Sequence, residues 1–444
     1  MTDARAGDAR AGEQPDVLIV GGGVLGLWLL GELRDRHYHA VLLERRELGG
    51  EQTCHSHVYI HEGHLYREAH ADLARRLRTV HLSWSAWLSS QTVARGFEPS
   101  CFGFKGLPEA DGKLALWAKL ELPINEVDPP GVLEGGVVRR TFQTRECCLT
   151  GESLVDALRA KLDHCITLVD DIESISVAPD PSTRGAEITG VRVRLSGTSV
   201  DVRPRALVLA AGARNQPLLD LVAGGRQPLK GMVQAKQQLR LAHMLVIRGA
   251  AGRLAPLTGI FPDVGGLFLV SRVTDDEVVW LVSDDRSPLV DSVEEWLDRD
   301  TREWLPRMLL SLRQIAPKQF ADDHLPHLQW GVYAAPKAEG RASGALPDEE
   351  RIEQCGIRNM WAVWPTKLTL APIASLAVTD AIVKARIDPS GEDGVPASWR
   401  PVCRRPDTAP ERWRQTPLIA WDDFRRCHRL EWHEMTEKVG GRGE

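Results

Sequence analysis

The chain lacks an excess of basic residues and contains no pair of cysteines spaced as Cys-x-x-Cys. Its 55 lysines and arginines are outnumbered by 61 acidic residues, which gives a formal net charge of -6. Because the arginines are scattered among acids, this balance argues against a nucleic-acid-binding protein. The eight cysteines form neither a zinc spacing nor a dense disulfide framework, so we expect reduced thiols and a cytoplasmic location.

The chain also lacks an uninterrupted apolar run long enough to cross a membrane. The apolar stretch at residues 17–30 is broken by three consecutive glycines and is shorter than the roughly 18 residues that a span needs. We therefore expect neither a membrane helix nor a signal peptide there. The first 14 residues are small, charged and poor in apolar side chains, so we expect them to be disordered.

A glycine-rich turn lies near the N-terminus, between a predicted buried strand at residues 16–20 and a predicted helix at residues 25–36. Its sequence, Gly-Gly-Gly-Val-Leu-Gly, occupies residues 21–26. Gly21 permits the tight turn, Gly23 lets backbone N–H groups approach a pyrophosphate, and Gly26 lets the helix pack closely on the sheet. Val24 and Leu25 lie at the N-terminal end of the predicted helix, where N–H donors and the helix dipole favour phosphate.

An acidic residue, Glu44, closes a second predicted strand at residues 40–43, eighteen positions after Gly26. A carboxylate there can accept hydrogen bonds from both ribose hydroxyls and would repel a 2′-phosphate. Together with the strand, turn and helix, it predicts a dinucleotide-binding unit. These residues do not by themselves separate NAD from FAD, and a glycine-rich turn in a plain α/β core is the alternative.

Three stretches of the chain carry a resemblance to a known family. They are the N-terminal unit, residues 52–63 (Gln-Thr-Cys-His-Ser-His-Val-Tyr-Ile-His-Glu-Gly), and the Leu-Val-Leu-Ala-Ala-Gly-Ala sequence within residues 206–215. They resemble the D-amino-acid oxidase (glycine oxidase) superfamily of flavoproteins, which includes L-2-hydroxyglutarate and glycerol-3-phosphate dehydrogenases. The second stretch is similar to the family segment beneath the flavin, and the third to a strand that enters a second glycine turn beside the adenosine. Lys367-Leu368-Thr369 resembles more weakly a turn that touches the pyrimidine side of the flavin.

The sequence departs from this family at several positions. Cys54 and Val58 replace glycines in the segment beneath the flavin, and Pro365-Thr366 replaces a glycine pair before Lys367. The family's Arg-Pro element, which often receives a substrate carboxylate, is represented only by Ala335-Pro336 after Tyr333. The departures leave a carboxylate substrate open to question.

The resemblance implies an FAD-dependent oxidoreductase that oxidises a C–N or C–O single bond of a small amine, amino acid or hydroxy acid by hydride transfer to flavin N5. The implied catalytic residues are His61 as a base, Lys367 as a stabiliser of negative charge on the reduced flavin, and Tyr333 in the pocket wall. Noncovalent FAD is expected, although His55 aligns with a position that attaches FAD covalently in some relatives. The implied FAD contacts are Gly21, Gly23, Val24, Leu25, Gly26, Glu44, Arg45, Gln52, Thr53, His55, Ala211, Gly212, Lys367, Leu368 and Thr369.

Other interpretations remain open at this point. His55, His57, His61 and His64 could suggest a metal, but no cysteine or acid completes a tetrahedral set, so we predict none. An FAD monooxygenase would share the N-terminal unit, and a flavin-binding assembly subunit without catalysis is an alternative from a different class. The electron acceptor would be oxygen or a quinone or protein, with no nucleic acid and no membrane span; the oligomeric state stays unknown.

The predicted fold is α/β (α+β overall), with a Rossmann-like FAD-binding domain that is discontinuous in sequence and carries an inserted β-rich substrate domain. The pattern predicts an irregular run of strands and loops at residues 97–149, two β-rich runs at residues 166–177 and 188–195 that form a hairpin or meander, strand after strand from residue 227 to 280, and a peripheral tail. The expected segments are 1–14 (disordered), 15–92, 150–226 and 351–387 (FAD-binding domain), 93–149 and 227–350 (substrate domain), and 388–444 (C-terminal extension).

Overall fold

The computed structural model describes residues 14–179, 185–224, 227–290, 297–341 and 350–432. Its helices are α1 Val24–Asp35, α2 Gln52–His55, α3 Ala71–Ser89, α4 Leu107–Lys119, α5 Gly151–Arg159, α6 Asn215–Ala223, α7 Gln227–Val233, α8 Leu297–Ile315, α9 Ala371–Lys384, α10 Arg412–Gln415 and α11 Trp421–Cys427. Its strands are β1 Val17–Val20, β2 Ala40–Glu44, β3 Tyr59–Ile60, β4 Cys101–Phe104, β5 Asn125–Val127, β6 Arg140–Gln143, β7 Cys147–Cys148, β8 Ile166–Leu168, β9 Asp171–Pro179, β10 Ala186–Leu195, β11 Thr198–Val202, β12 Ala206–Leu209, β13 Gln237–Ala250, β14 Gly259–Phe261, β15 Leu267–Val273, β16 Glu277–Ser283, β17 Leu289–Val290, β18 Gln329–Gly340, β19 Arg351–Glu353, β20 Met360–Trp364 and β21 Ile419–Ala420.

The chain divides into two compact units, each assembled from three stretches of sequence. The first unit contains the described parts of residues 1–50, 155–237 and 339–409, and the second those of residues 51–154, 238–338 and 410–444. This division differs from the predicted limits, which gave residues 51–92 to the cofactor-binding domain. The predicted disordered segment lies, apart from Gln14, outside the described residues.

The first unit is built on a sheet with the order β19-β20-β12-β1-β2-β8. The last five of these strands run parallel, and β19 is an antiparallel edge strand. All four residues of β1 and of β12 are buried, which explains why both read as continuous apolar runs rather than as alternating patterns. The sheet and its crossover helices confirm the predicted Rossmann-like α/β fold.

A second, antiparallel sheet in the first unit contains β9, β10 and β11. The predicted pairing of two β-rich runs is present, because β10 pairs antiparallel with β9 in the register Val191↔Ile175. The single strand predicted at residues 166–177 is instead divided. Its first residues form β8 in the parallel sheet, whereas β9 belongs to the antiparallel sheet.

The second unit is built on a large mixed sheet with the order β21-β18-β13-β16-β15-β14-β4-β6-β5, and β17 pairs with β13. One face of this sheet supplies an apolar core that includes the buried side chains Ile247, Trp280 and Trp330, together with Leu309 and Leu312 of α8. The opposite face carries a smaller cluster of buried residues: Met244, Val246, Val279, Leu281, Tyr333 and Trp413. The β-rich part of the prediction is therefore present in this unit.

Three segments of the prediction differ from the structure. Residues 97–149 contain a helix, α4, in which Pro108 occupies the first turn, where proline needs no N–H partner. Helix α7 opens the stretch that was predicted to be strands throughout. The C-terminal segment is not peripheral, because Trp421, Phe424 and Trp432 are at most 5% exposed and join the apolar core of the second unit.

The described part of the chain holds no helix that is both long and apolar enough to span a membrane. The eight cysteines all fall within the described ranges, and none forms a disulfide. Seven of them are buried or half-buried, and Cys427 is exposed.

Candidate functional site

The turn between β1 and α1 requires glycine at two positions. Gly21 has a φ of 112°, and a Cβ added there would lie 2.6 Å from the carbonyl oxygen of Ala210. At Gly26 a Cβ would lie 1.9 Å from the carbonyl oxygen of Gly21, so only glycine allows the helix to approach this closely. Gly23 is the N-cap of α1 and has no side chain that could cap the helix. Helix N-termini of this kind are suited to phosphate groups.

Glu44 at the end of β2 lies beside this turn. Its Oε2 accepts a hydrogen bond from the backbone N–H of Gly22 at 2.7 Å. Its Oε1 accepts the N–H groups of Arg45 at 2.7 Å and Arg46 at 3.0 Å. These three bonds fix the Glu44 carboxylate next to the glycine turn. A carboxylate at this place can bind the ribose hydroxyls of a dinucleotide. The Arg45 side chain itself is exposed.

A second glycine turn adjoins the first. Strand β12 pairs with β1 in the register Leu209↔Val20, so the two strands end side by side. Ala211 then caps a short 3-10 turn that begins at Gly212, whose φ is 52°. The N–H of Ala211 donates to Oδ1 of Asn215 at 2.8 Å. Because the carboxyl ends of parallel strands form the usual ligand edge of such a sheet, both turns lie where a nucleotide would bind.

The Lys367 segment follows β20 at the same edge of the same sheet, since β20 pairs with β12 in the register Ala362↔Leu209. Thr366 has a φ of 66°, and a short 3-10 turn at Leu368–Leu370 leads into α9. Lys367 is half-buried and Thr369 is fully buried. The first unit thus brings three separate predicted segments to one edge of its parallel sheet.

In the second unit, residues 52–61 lie along the face of the large sheet that carries Tyr333. Oε1 of Gln52 accepts the N–H of Ala338 at 3.2 Å, and the Tyr333 hydroxyl donates to the carbonyl oxygen of His55 at 3.2 Å. Burial raises the pKa of Tyr333 well above its usual value, so its phenol stays protonated. Thr53 is buried in the short helix α2.

Three residues of this segment, His57, Tyr59 and His61, gather around the ring of Phe268. Their ring centroids lie 4.3, 4.9 and 6.0 Å from it. His57 is buried, and its Nε2 bonds the carbonyl oxygen of Leu281 at 3.2 Å. Burial and the nearby Arg272 lower the pKa of His57 to about 3, so this imidazole is neutral at physiological pH. His61 is the half-buried member of the three.

A buried ion pair between Arg272 and Glu411, which no sequence motif predicted, binds the backbone of this segment. Arg272 donates to Oε1 of Glu411 at 2.7 Å, to the carbonyl oxygen of Leu149 at 2.9 Å and to that of His57 at 3.3 Å. It also lies 2.8 Å from Sγ of Cys148. Burial alone would raise the pKa of Glu411, but the charge and hydrogen bonds of Arg272 outweigh it and lower that pKa.

A second buried carboxylate, Glu146, bonds the turn that follows His61. Its Oε1 accepts the backbone N–H groups of Glu62, Gly63 and His64 at 2.7, 3.1 and 3.3 Å. The same oxygen lies 3.3 Å from Nδ1 of His64. No sequence motif signalled this contact, because Glu146 lies more than eighty residues along the chain from the turn.

In the part of the chain that the structure describes, the histidines at positions 55, 57, 61 and 64 are not among the residues whose metal-ligating atoms lie close enough together to hold one ion. Within the described ranges, the group with metal-ligating atoms close enough together is His164, Cys165 and Asp393, whose atoms lie within 4.8 Å of one another. The guanidinium of Arg34 already occupies that place, at 2.6 Å from the Cys165 sulfur and 2.5 Å from Asp393. A resident cation there opposes the binding of a metal ion.

The family model for "FAD dependent oxidoreductase", DAO, matches residues 16–348. The chain belongs to the DAO family. It is an oxidoreductase of the FAD-dependent type, and the resemblance seen in the glycine turns is confirmed at the level of the family. The match spans the whole parallel sheet except β19 and β20, and most of the large sheet.

Relatives of this DAO family protein agree with that assignment. A probable FAD-dependent oxidoreductase of Pseudomonas aeruginosa is 29% identical over 424 residues, which cover 88% of this chain and 96% of the relative. The crystal structure of that FAD-dependent oxidoreductase has a TM-score of 0.67 at 24% identity over 90% of this chain and 98% of the other. A glycine oxidase from Geobacillus kaustophilus shares the fold with a TM-score of 0.57, at 15% identity over 84% of this chain and 95% of the other.

An FAD-bound α-glycerophosphate oxidase from Mycoplasma pneumoniae also shares the fold, with a TM-score of 0.62 at 14% identity. The alignment covers 84% of this chain and 95% of that oxidase. At this level of identity the likeness concerns the fold alone. It shows that the DAO fold of this chain occurs in a protein with FAD bound.

Proposed function

We propose that this DAO family protein oxidises a C–N or C–O single bond of a small amine, amino acid or hydroxy acid, with hydride transfer to N5 of bound FAD. The observation that carries the proposal is the pair of obligatory glycines at the carboxyl edge of the parallel sheet, with Glu44 fixed beside them. The named activities of other proteins with this fold support the bond type, since these proteins include a glycine oxidase, an L-proline dehydrogenase and an α-glycerophosphate oxidase.

The residues of the first unit fit the adenosine half of FAD. A Cβ at Gly21 or Gly26 would collide with backbone atoms of the protein itself, so these glycines keep the turn tight and set the geometry in which the N-terminus of α1 can face a pyrophosphate. Glu44 would accept the ribose hydroxyls, and the turn at Ala211 and Gly212 would line the adenosine. When bound, FAD supplies the electron-pair acceptor that no side chain of the chain can provide.

Roles in the reaction are assigned separately to His61 and Tyr333 of the second unit and to Lys367 of the first. His61 would take the proton that the substrate nitrogen or oxygen loses, a role that suits an imidazole near neutral pH. Lys367 would offset negative charge on the reduced cofactor. Tyr333 would form a wall and hold the backbone at His55, because its hydroxyl already bonds that carbonyl oxygen.

Attachment of FAD is proposed to be noncovalent, with a bond through His55 as the alternative. His55 is half-buried, and burial lowers its pKa, so its imidazole is neutral and nucleophilic at physiological pH. Precipitation of the holoprotein with acid separates the two cases. Yellow supernatant indicates noncovalent FAD, whereas flavin that stays with the pellet and is lost in His55→Ala indicates the covalent bond.

The test of the proposed function is anaerobic reduction of the purified yellow protein by a panel of amines, amino acids and hydroxy acids. We expect at least one class to bleach the visible flavin absorbance, and His61→Gln to slow the bleaching without releasing FAD. A colourless, folded protein that takes up no added FAD would overturn the cofactor assignment. FAD that is bound but is reduced by no member of the panel would overturn the reaction class.

A further inference from the structure

The turn that follows His61 is bound by two charges of opposite sign, the buried Glu146 and the half-buried Lys113. Glu146, with a fully buried side chain, accepts the consecutive N–H groups of Glu62, Gly63 and His64 on one oxygen. Gly63 has a φ of 117°, and a Cβ there would lie 2.8 Å from the carbonyl oxygen of Ala74. The turn is therefore a concave arrangement of amides around a carboxylate, which requires glycine at its centre.

The carbonyl side of the same turn is bound by a lysine from α4. Nζ of Lys113 donates to the carbonyl oxygens of His64, Leu65 and Tyr66 at 3.2, 2.9 and 2.9 Å. Nε1 of Trp117, one helical turn further along, donates to the His64 carbonyl oxygen at 2.9 Å. Five consecutive residues after His61 thus have their backbone groups bound by side chains of two distant elements.

The charges themselves are set by burial and by their partners. Burial alone would raise the pKa of Glu146, but its hydrogen bonds from His64 and from the backbone N–H of Glu62 lower it to about 2, so the carboxylate is ionised. Burial lowers the pKa of Lys113 to about 8, and the charge of Glu146 opposes that change. At neutral pH both groups carry the charge that the turn requires.

The strand before His61 is fixed as well. Ile60 of β3 pairs with Cys147 of β7, and Cys147 directly follows Glu146 in the sequence. The Tyr59 hydroxyl forms a hydrogen bond with Oγ of Ser100. Burial and the nearby charge of Glu146 raise the pKa of Tyr59. His61 consequently lies between a paired strand and a doubly bound turn, and the 146–148 segment contributes to both.

We propose that Glu146 and Lys113 are positioning residues for His61: they bind the turn from residue 62 to 66 from opposite sides and so fix the direction of the His61 imidazole. The inference rests on the proposed function, in which His61 accepts the substrate proton. Neither residue touches substrate or cofactor in this scheme. Misplacement of a reacting group by about 1 Å can lower a rate about a hundredfold, so this geometry is a sufficient cause for a large effect.

The variants that test the proposal are Glu146→Gln and Lys113→Met, each with a matched control. Glutamine at position 146 loses the charge but keeps an acceptor oxygen for the backbone N–H groups. The retained acceptor limits the danger of misfolding. Glu98→Gln is the control for the first variant, because Glu98 lines the same cleft as Glu146 but is exposed. Lys119→Met is the control for the second, because Lys119 is exposed on the same helix, α4.

Two readouts separate this inference from the proposed function. The first is the rate of anaerobic FAD reduction, as a function of concentration, by whichever amine, amino acid or hydroxy acid of the panel reduces the wild-type protein, with glycine and L-proline among those tried. We expect the limiting rate to fall about 10- to 100-fold in Glu146→Gln and Lys113→Met, with the half-saturating concentration changed by less than about threefold. The second is amide hydrogen exchange at residues 62–64, which we expect to speed up in Glu146→Gln and to stay unchanged in both controls.

Each combination of results has a definite meaning. Wild-type FAD that no member of the panel reduces contradicts the proposed function and with it the role given to His61, while faster exchange in Glu146→Gln still shows that Glu146 holds the turn at residues 62–64. Faster exchange with an unchanged limiting rate overturns the positioning role but leaves the proposed function intact. Unchanged exchange in Glu146→Gln overturns the inference whatever the rates show.

Discussion

Replacement of Glu411 by alanine should destabilise the protein more than replacement of any exposed acidic residue by alanine. Glu411 is 1% exposed and Arg272 is 5% exposed, so the guanidinium would lose its charge partner without gaining water. Glu411 also accepts Nε1 of Trp413 at 2.9 Å and the N–H of Gly151 at 3.2 Å. Alanine would leave both of these donors without that acceptor.

The expected magnitude follows from these contacts. Removing one partner of a buried ion pair costs about 3–5 kcal/mol, and we take about 4 kcal/mol for Glu411→Ala. An unfolding entropy of about 2.1 cal/mol/K per residue over this chain gives about 0.9 kcal/mol/K, so the midpoint should fall by about 4 °C. Glu411→Gln retains the acceptor oxygen for Trp413 and Gly151 and should lose about half as much.

The pH dependence of the stability should show the sign of the Glu411 contribution. Since the pKa of Glu411 is lowered in the folded state, the folded protein binds fewer protons there than the unfolded chain. Its stabilisation is complete above the unfolded value of about 4.3 and is lost as the pH falls through the folded pKa. The difference in stability between wild type and Glu411→Ala should therefore be constant from neutral pH down to about 5 and shrink below about 4.

The assay is thermal unfolding of the holoprotein followed by tryptophan fluorescence, with Asp422→Ala as the control. Asp422 is exposed and forms an ion pair with Arg425, one helical turn away, so its loss should cost about 0.5 kcal/mol or less. The double variant Arg272→Met, Glu411→Leu should melt above Glu411→Ala, because it removes the uncompensated charge. A Glu411→Ala midpoint within about 1 °C of the Asp422→Ala midpoint would refute the reasoning.

Three further predictions concern the cofactor and the reaction. Glu44→Ala should weaken FAD binding about 10- to 100-fold, because charge-assisted hydrogen bonds contribute about 1.5–3 kcal/mol, while Glu47→Ala, an exposed neighbour, should leave the affinity measured by flavin fluorescence unchanged. Tyr333→Phe should reduce stability by about 1 kcal/mol through the lost bond to His55 and lower the FAD reduction rate less than tenfold; a complete loss of reduction would show that the hydroxyl takes part in the chemistry. Lys367→Met should make the flavin midpoint potential more negative by about 30 mV for each 1.4 kcal/mol of lost charge stabilisation, and an unchanged potential in spectroelectrochemical titration would contradict the role given to Lys367.

Local sequence patterns predicted the nucleotide unit because its chemistry is contained in a few neighbouring residues. Gly21 is required by its positive φ and Gly26 by its close approach to the Gly21 carbonyl oxygen inside one strand–turn–helix, and Glu44 follows on the adjacent strand. By contrast, α4 was missed because Pro108 and Gly112 read as helix breakers. The structure tolerates both, since Pro108 lies in the first turn and a Cβ at Gly112 would meet nothing within 4 Å.

The sequence alone determined the DAO resemblance, the parallel sheet and the positions of its glycine turns, because each depends on the period of apolar residues and on backbone freedom over short distances. Only the tertiary structure decided which distant charges meet. Arg272 and Glu411 lie 139 residues apart, and Glu146 and Lys113 reach the turn after His61 from different elements. Such pairs leave no local pattern, because a buried charge is satisfied by whatever partner the fold brings to it.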